Sequence, residues 1–337
     1  MVHQPLQNSV LILTQQHDFS ADAVIHELHA MDVPVFRWDT SNFPLQSEMT
    51  AFTGADGTWA STLHHGQRSI RLEEVRSIWY RRPTPFIFPD EFGAADCDFA
   101  FGESRKAIGG LLRGLECIWV NHPDKMTGAD YKPHQLSLAA KLGLDIPRTL
   151  LTNSPEAVLE FRERCTEDIV YKTLSYPMVG VGDDRERMLP LFTSRVTDEH
   201  MTKLDLVRAT PCLFQEYVPK ELELRLTVVG DTVFSAAVYS QENEISATDW
   251  RRGLASADVA LRYERHDLPI DVRNRCLGLV DALGLEYAAL DLILTPDGRY
   301  VFLEVNPAGE WGWIQAETGM DLALAIAEHL AKGKPAR

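Results

Sequence analysis

Cysteine is sparse and unpaired in this chain. Cys97, Cys117, Cys165, Cys212 and Cys276 are scattered over 337 residues, so no disulfide framework or zinc motif follows and reduced core thiols are expected. The eleven histidines show no metalloprotease spacing, and His64-His65 falls in a turn-like stretch read as solvated. No apolar run is long enough to span a bilayer. The start, Met1-Val2-His3-Gln4-Pro5, lacks the basic residues of a secretory signal, so a cytoplasmic protein is expected. Positive charge is in deficit: 33 Lys and Arg stand against 49 Asp and Glu, a net charge of -16. That opposes nonspecific nucleic-acid binding, and neither nucleic acid nor membrane is expected as a partner. No Ser-His-Asp or Cys-His arrangement offers an enzyme nucleophile. The kinase His-Arg-Asp and Asp-Phe-Gly runs are missing as well.

What is present is an α/β pattern with 45% hydrophobic residues, ordinary for a soluble globular protein and long enough for two or three units. Ser9 to Thr14 reads as a buried strand, Ser20 to Met31 as an amphipathic helix and Val33 to Trp38 as a second strand. This βαβ opening has no glycine fingerprint, so a dinucleotide site is not supported. Strands at 69–72 and 75–80, a helix from Phe99 to Leu115 and a strand from Cys117 to Val120 follow. Asn121-His122-Pro123 is a breaker that ends this unit. Helices from Tyr131 to Leu142, closed by Gly143, and from Ser154-Pro155-Glu156 onward flank a short strand, 146–152. Strands are read at 169–172 and 212–218, with a flexible stretch, Ser175 to Asp184, between them. A hairpin of Leu222 to Val229 and Thr232 to Ser240, a helix from Val272 to Leu283 and a last helix from Leu322 to Lys332 complete the chain.

The most informative segment runs from Asp291 to Pro307. Asp297-Gly298 is a two-residue hairpin turn signal. That turn sets Pro296 opposite Arg299 and, counting outward, Asp291 opposite Glu304. Asn306 shares the face of Glu304, while Leu290, Leu292, Leu294, Leu303 and Val305 form an apolar face. Like charges directly opposed across strands are destabilising. Two carboxylates and an amide oxygen make a hard-oxygen site suited to magnesium; a surface hairpin with acidic residues is the competing reading.

Upstream, Lys172 ends an apolar strand before a glycine-containing loop. Buried there, a lysine needs an anion such as phosphate, or else it snorkels to the strand edge. Glu223 and Arg225 share one face of a strand, as a ribose-binding acid and a phosphate-binding arginine or as a cross-strand surface pair. Asp249-Trp250-Arg251-Arg252 either brings Arg251 to a phosphoryl group or is a charged loop.

In order, Lys172, the linker Gln215-Glu216-Tyr217-Val218, Glu223 and Arg225, Asp291 and Glu304-Val305-Asn306 resemble the ATP-grasp superfamily from about residue 122 onward. A narrower likeness spans nearly the whole chain. Trp79-Tyr80-Arg81-Arg82-Pro83, Phe214 to Lys220, Glu223-Leu224-Arg225, Asp249-Trp250-Arg251 and Glu304 to Trp311 look like the ATP-grasp ribosomal peptide maturases, the graspetide or microviridin-type macrocyclases.

This resemblance implies an ATP-grasp fold with an N-terminal Rossmann-like pre-ATP-grasp domain at 1–122. It implies a central domain at 123–214 with the ATP-binding lysines, and a C-terminal domain at 215–337 with a magnesium site. Lys132 and Lys172 would contact nucleotide. The linker from Gln215 to Val218 would meet adenine, with backbone groups of Glu216 and Val218, and Glu223 would meet ribose. Arg225 and Arg251 would stabilise the γ-phosphate and an acyl phosphate; Asp291, Glu304 and Asn306 would hold magnesium. The implied activity is ATP-dependent closure of ester or amide crosslinks in a precursor peptide of leader plus core, by a homodimer. The segment 150–212 is expected to contact the leader. A carboxylate–amine ligase and a non-catalytic nucleotide-binding module are the alternatives.

Overall fold

Val10–Thr14 is an apolar run buried at every position, as expected of a strand covered on both faces. It pairs in parallel with Val35–Trp38 on one side and Ser77–Arg82 on the other. Ile118–Val120 extends the sheet, also in parallel. Helix Phe19–Ala30 makes the first crossover, its N-terminus capped by Asp18, which accepts from the Ala21 N–H at 3.1 Å. The computed structural model describes residues 4–175, 178–181 and 184–333.

Beside this sheet, Ser47–Thr53, Trp59–His65 and Arg68–Arg71 form an antiparallel meander. His64-His65 therefore ends a strand rather than sitting in a turn, and His65 Nδ1 lies 3.1 Å from the Ser47 hydroxyl. Asn121-His122-Pro123 does not only break structure. Proline stands at the first turn of helix Pro123–Ala129, where its missing N–H costs nothing.

A second sheet has the order Ser194–Arg195, Ile169–Lys172, Cys212–Glu216, Thr149–Thr152. Helix Pro155–Arg164 covers it through Val158, which meets Ile169, Val207 and Phe214. The stretch read as flexible, Ser175 to Asp184, holds the first strand of a hairpin, Met178–Val181, which pairs with Asp184–Pro190; Gly182, part of that reading, lies outside the described residues.

The largest sheet is antiparallel, ordered Tyr263–Arg265, Thr232–Val238, Leu222–Val229, Tyr287–Leu294, Tyr300–Asn306. One face is dry: Leu222, Leu224, Leu226, Leu290, Leu292 and Phe302 pack with helices Lys132–Lys141 and Ile270–Ala282. The alternate positions Glu223, Arg225 and Asp291 are turned to the other face. Helix Leu322–Ala331 packs with helix Phe19–Ala30 in one core, so the first and last parts of the chain are fastened together.

The hairpin of Asp291 and Glu304 reaches its expected pairing by an unexpected route. Leu294 pairs with Tyr300, and Thr295 N–H donates to the Arg299 carbonyl at 2.9 Å. The loop is thus three residues, Pro296-Asp297-Gly298, with Gly298 at φ +81°, a form that needs the left-handed region at its last residue. On its own this slips the register by one. A bulge at Leu303 restores it, so Asp291 does oppose Glu304. Leu303 leaves the apolar face and lines a cleft instead, and Phe302 takes the core position.

Asn121 joins the N-terminal sheet to this one. Its side-chain N–H groups donate to Tyr287 and Pro307 carbonyls at 2.7 and 2.8 Å, and its oxygen accepts from Glu286 and Tyr287 N–H at 2.8 and 3.0 Å. Asn121→Ala strands several of these buried groups at once, each costing about 1–3 kcal/mol. Urea unfolding should register a loss of about 3 kcal/mol or more, far above a surface substitution.

Candidate active site

Arg225, Asp291 and Glu304 are Cα partners in a row across three adjacent strands. The Arg225 Nη1 donates to both Asp291 oxygens at 3.0 and 3.1 Å. Lys132, at the first turn of its helix, reaches Glu304 at 2.5 Å. Gln135 one turn on fixes that helix to the strand, bonding both the N–H and carbonyl of Val305 at 2.9 and 2.8 Å. The repulsion expected between the opposed carboxylates is thus met by cations of the chain itself. Opposition alone does not call for a metal.

Arg251 opens the short helix Arg251–Leu254, so its segment is not a plain loop. It pairs with Asp249 at 2.7 Å and lies 3.8 Å from Glu304. Asp249, buried, also accepts from the Thr193 N–H at 2.9 Å. Lys172 stands at the end of its strand among Lys132, Arg251 and Glu304. Glu223 is no surface residue: it is buried and pairs with Lys220 at 2.9 Å. Lys220 falls within a motif of the sequence but is given no role there, although the spacing Lys220-x-x-Glu223 is a usable signal. Thr193 lines the same cleft and carries no local signal at all.

Charge sets the titration of these groups. Burial pushes the Glu304 carboxyl up, but Lys132, Arg251 and Lys172 outweigh it and hold the group well below the usual carboxylate range. Asp291 goes the other way: burial, helped by the charge of Glu304, raises it despite Arg225. Burial also raises Glu223 against the pull of Lys220. Lys172 is lowered by burial and by the cations Lys132 and Arg251.

The cleft between the two sheets is lined by Lys172, Gln215, Glu216, Tyr217, Val218, Glu223, Arg251, Asp291 and Glu304. Gln215 donates to the Thr149 hydroxyl at 3.1 Å, and Arg195 stacks on the Tyr217 ring at 3.7 Å. The Glu216 N–H already donates to the Arg148 carbonyl at 3.0 Å and the Tyr217 N–H to Asp168 at 2.7 Å. A second cavity, about 880 Å³, adjoins it; the two share Lys172, Thr193, Arg251 and Glu304 as walls. Asn306 lines this second cavity, its oxygen accepting from the Ala308 N–H at 2.9 Å. The structure therefore brings every candidate residue but Arg225 to the wall of one cleft or its neighbour; Arg225 is buried behind Asp291, to which it is bonded.

Among the described residues no group of three or more His, Cys, Asp or Glu could form a metal cage. Magnesium does not need one. It is commonly held by one or two carboxylates together with substrate phosphates and water, and Asp291, Glu304 and the Asn306 amide suit that. The Arg225 Nε is buried with no hydrogen-bond partner among the described residues.

Residues 9–127 match the model of the MvdD pre-ATP grasp domain and residues 129–330 that of the RimK-like ATP-grasp domain. The macrocyclase MdnC of Microcystis aeruginosa, solved with its precursor peptide MdnA, is 32% identical over 96% of this chain and 99% of its own, with a TM-score of 0.82. The chain belongs to the ATP-grasp ligases, among the ribosomal peptide macrocyclases. An RiPP-associated ATP-grasp ligase of Chryseobacterium gregarium, solved with ADP and a leader and core peptide, is 30% identical, covers 98% of both chains and has a TM-score of 0.87. A probable alpha-L-glutamate ligase of Stenotrophomonas maltophilia is 27% identical over 212 residues, 54% of this chain and 69% of its own. As an ATP-grasp ligase this chain uses ATP. No helix among its described residues is long and apolar enough to cross a membrane.

Glu304 gives a pH test. Its folded value lies below the ordinary 4.5, so the stabilisation it contributes is complete above that pH and is lost as pH falls through the folded value. The urea midpoint of wild type should exceed that of Glu304→Gln by a constant gap from neutral pH down to about 5, and the gap should shrink in more acid buffer. A gap that widens toward acid contradicts the assignment.

Proposed function

We propose that this ATP-grasp ligase closes rings in a ribosomally made precursor peptide. The observation that carries the reading is likeness along the full chain, at 30% identity or more, to enzymes solved with precursor, leader or core peptides. The geometry agrees with it. A narrow cleft and a wider cavity meet at a wall of Lys172, Thr193, Arg251 and Glu304, where an activated group could pass between them.

A peptide Asp or Glu carboxylate is a poor acyl donor at neutral pH. It attacks the γ-phosphorus of ATP, ADP leaves, and an acyl phosphate forms. A Ser or Thr hydroxyl, or a Lys amine, then attacks the acyl carbon and releases phosphate, giving an ester or amide. The Glu216 carbonyl and Val218 N–H receive adenine, with Gln215 and Tyr217 shaping that wall, and Glu223 receives ribose. Lys132 and Lys172 hold phosphate oxygens. Arg225 and Arg251 take up the negative charge that develops during transfer. Asp291, Glu304 and Asn306 would hold magnesium, which supplies charge neutralisation and Lewis acidity at the phosphates. Since the chain contributes no nucleophile, holding the two peptide groups together supplies much of the remaining rate.

The reading divides the chain into 1–122, 123–214 and 215–337. It gives residues 150–212 contact with the leader and makes the protein a cytoplasmic homodimer. The likeness to glutamate ligases favours, as a second reading, addition of a free amino acid to a carboxylate.

Product mass separates the two. With ATP, magnesium and a peptide rich in Thr and Asp or Glu near its C-terminus, each crosslink should subtract one water, whereas ligation adds a residue. Asp291→Ala and Glu304→Ala should both stay folded yet release no ADP; full turnover in both would refute the metal assignment. Removing the leader from the peptide should cut turnover sharply, and undiminished turnover would refute leader contact.

A further inference from the structure

Two segments that the sequence singles out, 79–83 and 307–311, have no part in the chemistry above. In the structure they meet. Arg81, at the end of strand Ser77–Arg82, has a side chain only 3% exposed. Its Nε lies 3.4 Å from Asp18, and its Nη2 donates to both Glu310 oxygens at 2.5 and 2.7 Å. Arg82 bonds the same carboxylate. Asp18 is fixed in turn by the Thr14 hydroxyl at 2.7 Å. A charged post from the N-terminal sheet thus reaches the loop that follows strand Tyr300–Asn306.

The rest of that loop leans on Arg225. The Glu310 carbonyl accepts from Arg225 Nη2 at 3.4 Å, and the Gly309 carbonyl accepts from the buried Tyr287 hydroxyl at 2.6 Å. A Cβ on Gly309 would fall 2.4 Å from the Ala289 Cβ and 2.6 Å from Arg225 Nη2. Glycine is what lets the backbone close on the guanidinium.

We propose that Arg81 and Glu310 are positioning residues for Arg225. They clamp the 307–311 loop so that its backbone holds one nitrogen of Arg225 while Asp291 holds the other, leaving the guanidinium one orientation. A buried arginine must be compensated on more than one side. Asp18, at the N-cap of helix Phe19–Ala30, does this from the N-terminal side, and Glu310 does it from across the junction. Docking of the N-terminal sheet is therefore a condition for a correctly aimed Arg225. The inference rests on the reading of Arg225 as a γ-phosphate group.

The test is calorimetric binding of ADP and of the β,γ-imido analogue of ATP, both with magnesium, to the full chain. Glu310→Ala should weaken the analogue on the order of tenfold, the effect of losing alignment in one charge-assisted hydrogen bond, and leave ADP unchanged. Gly309→Ala retains every charge but forces the loop away from both the Ala289 Cβ and the guanidinium, and where it folds should give the same selective loss. Arg81→Lys keeps the charge but not the fork, and should fall between. In an Arg225→Ala background, Glu310→Ala should add nothing. Equal loss for both nucleotides, no loss for either, or additivity with Arg225→Ala overturns the positioning role. An unchanged analogue-to-ADP ratio in Arg225→Ala alone overturns the reading of Arg225 itself. If Glu310→Ala does not fold, the Arg81→Lys result decides.

Discussion

Asp291 lies between an arginine and a second carboxylate on a sheet whose opposite face is dry, and that placement constrains the residues around it. A carboxylate buried there is tolerable only while Arg225 stays bound to it. Glu304 beside it is tolerable only while Lys132 and Arg251 face it. Each cation must be delivered by a different element: a neighbouring strand, the first turn of a helix, and a four-residue helix from the other side of the cleft. The position of those elements is therefore coupled to the charge balance of one row of side chains. On the proposed reading the same balance lets the site receive an anion, since its cations converge on oxygen ligands and can exchange one set for another.

The dry face does the complementary work. Leucines from two adjacent strands fill one layer under two helices, and apolar burial of this kind is worth about 25 cal/mol per Å². Burial of ionised groups on the opposite face draws on that reserve, as functional sites commonly do. Gln135 ties the layers together, because a helix that supplies Lys132 must also keep register with the strand that carries Glu304.

Much of this was legible in the sequence. Alternation along Leu222 to Leu226 separated core from site, and a lone lysine at the end of an apolar strand marked Lys172. The illegible parts share a cause: they depend on partners distant in sequence. The Ser47–Thr53 strand turns Ser47, Met49, Ala51 and Thr53 inward and leaves Phe52 exposed, so its residue types show little apolar alternation and it passes for loop. Pro123 is as compatible with ending a unit as with starting a helix, and only the helix shows which. Glu223 could be a surface residue until Lys220 and its burial are seen. The pairing of Asp291 with Glu304 came out as expected because two departures, a longer turn and an extra residue at 303, cancelled.

That cancellation sets a parity rule for the hairpin. Side chains alternate faces with every residue, so any change of odd length at the 296–298 turn inverts the far strand unless a second odd change offsets it. The bulge at Leu303 is that offset. A two-residue turn with no bulge would give the same pairing of Asp291 with Glu304. Were the strand to pair without the bulge while the three-residue turn stayed, Leu303 would oppose Asp291 and Glu304 would turn toward the apolar face.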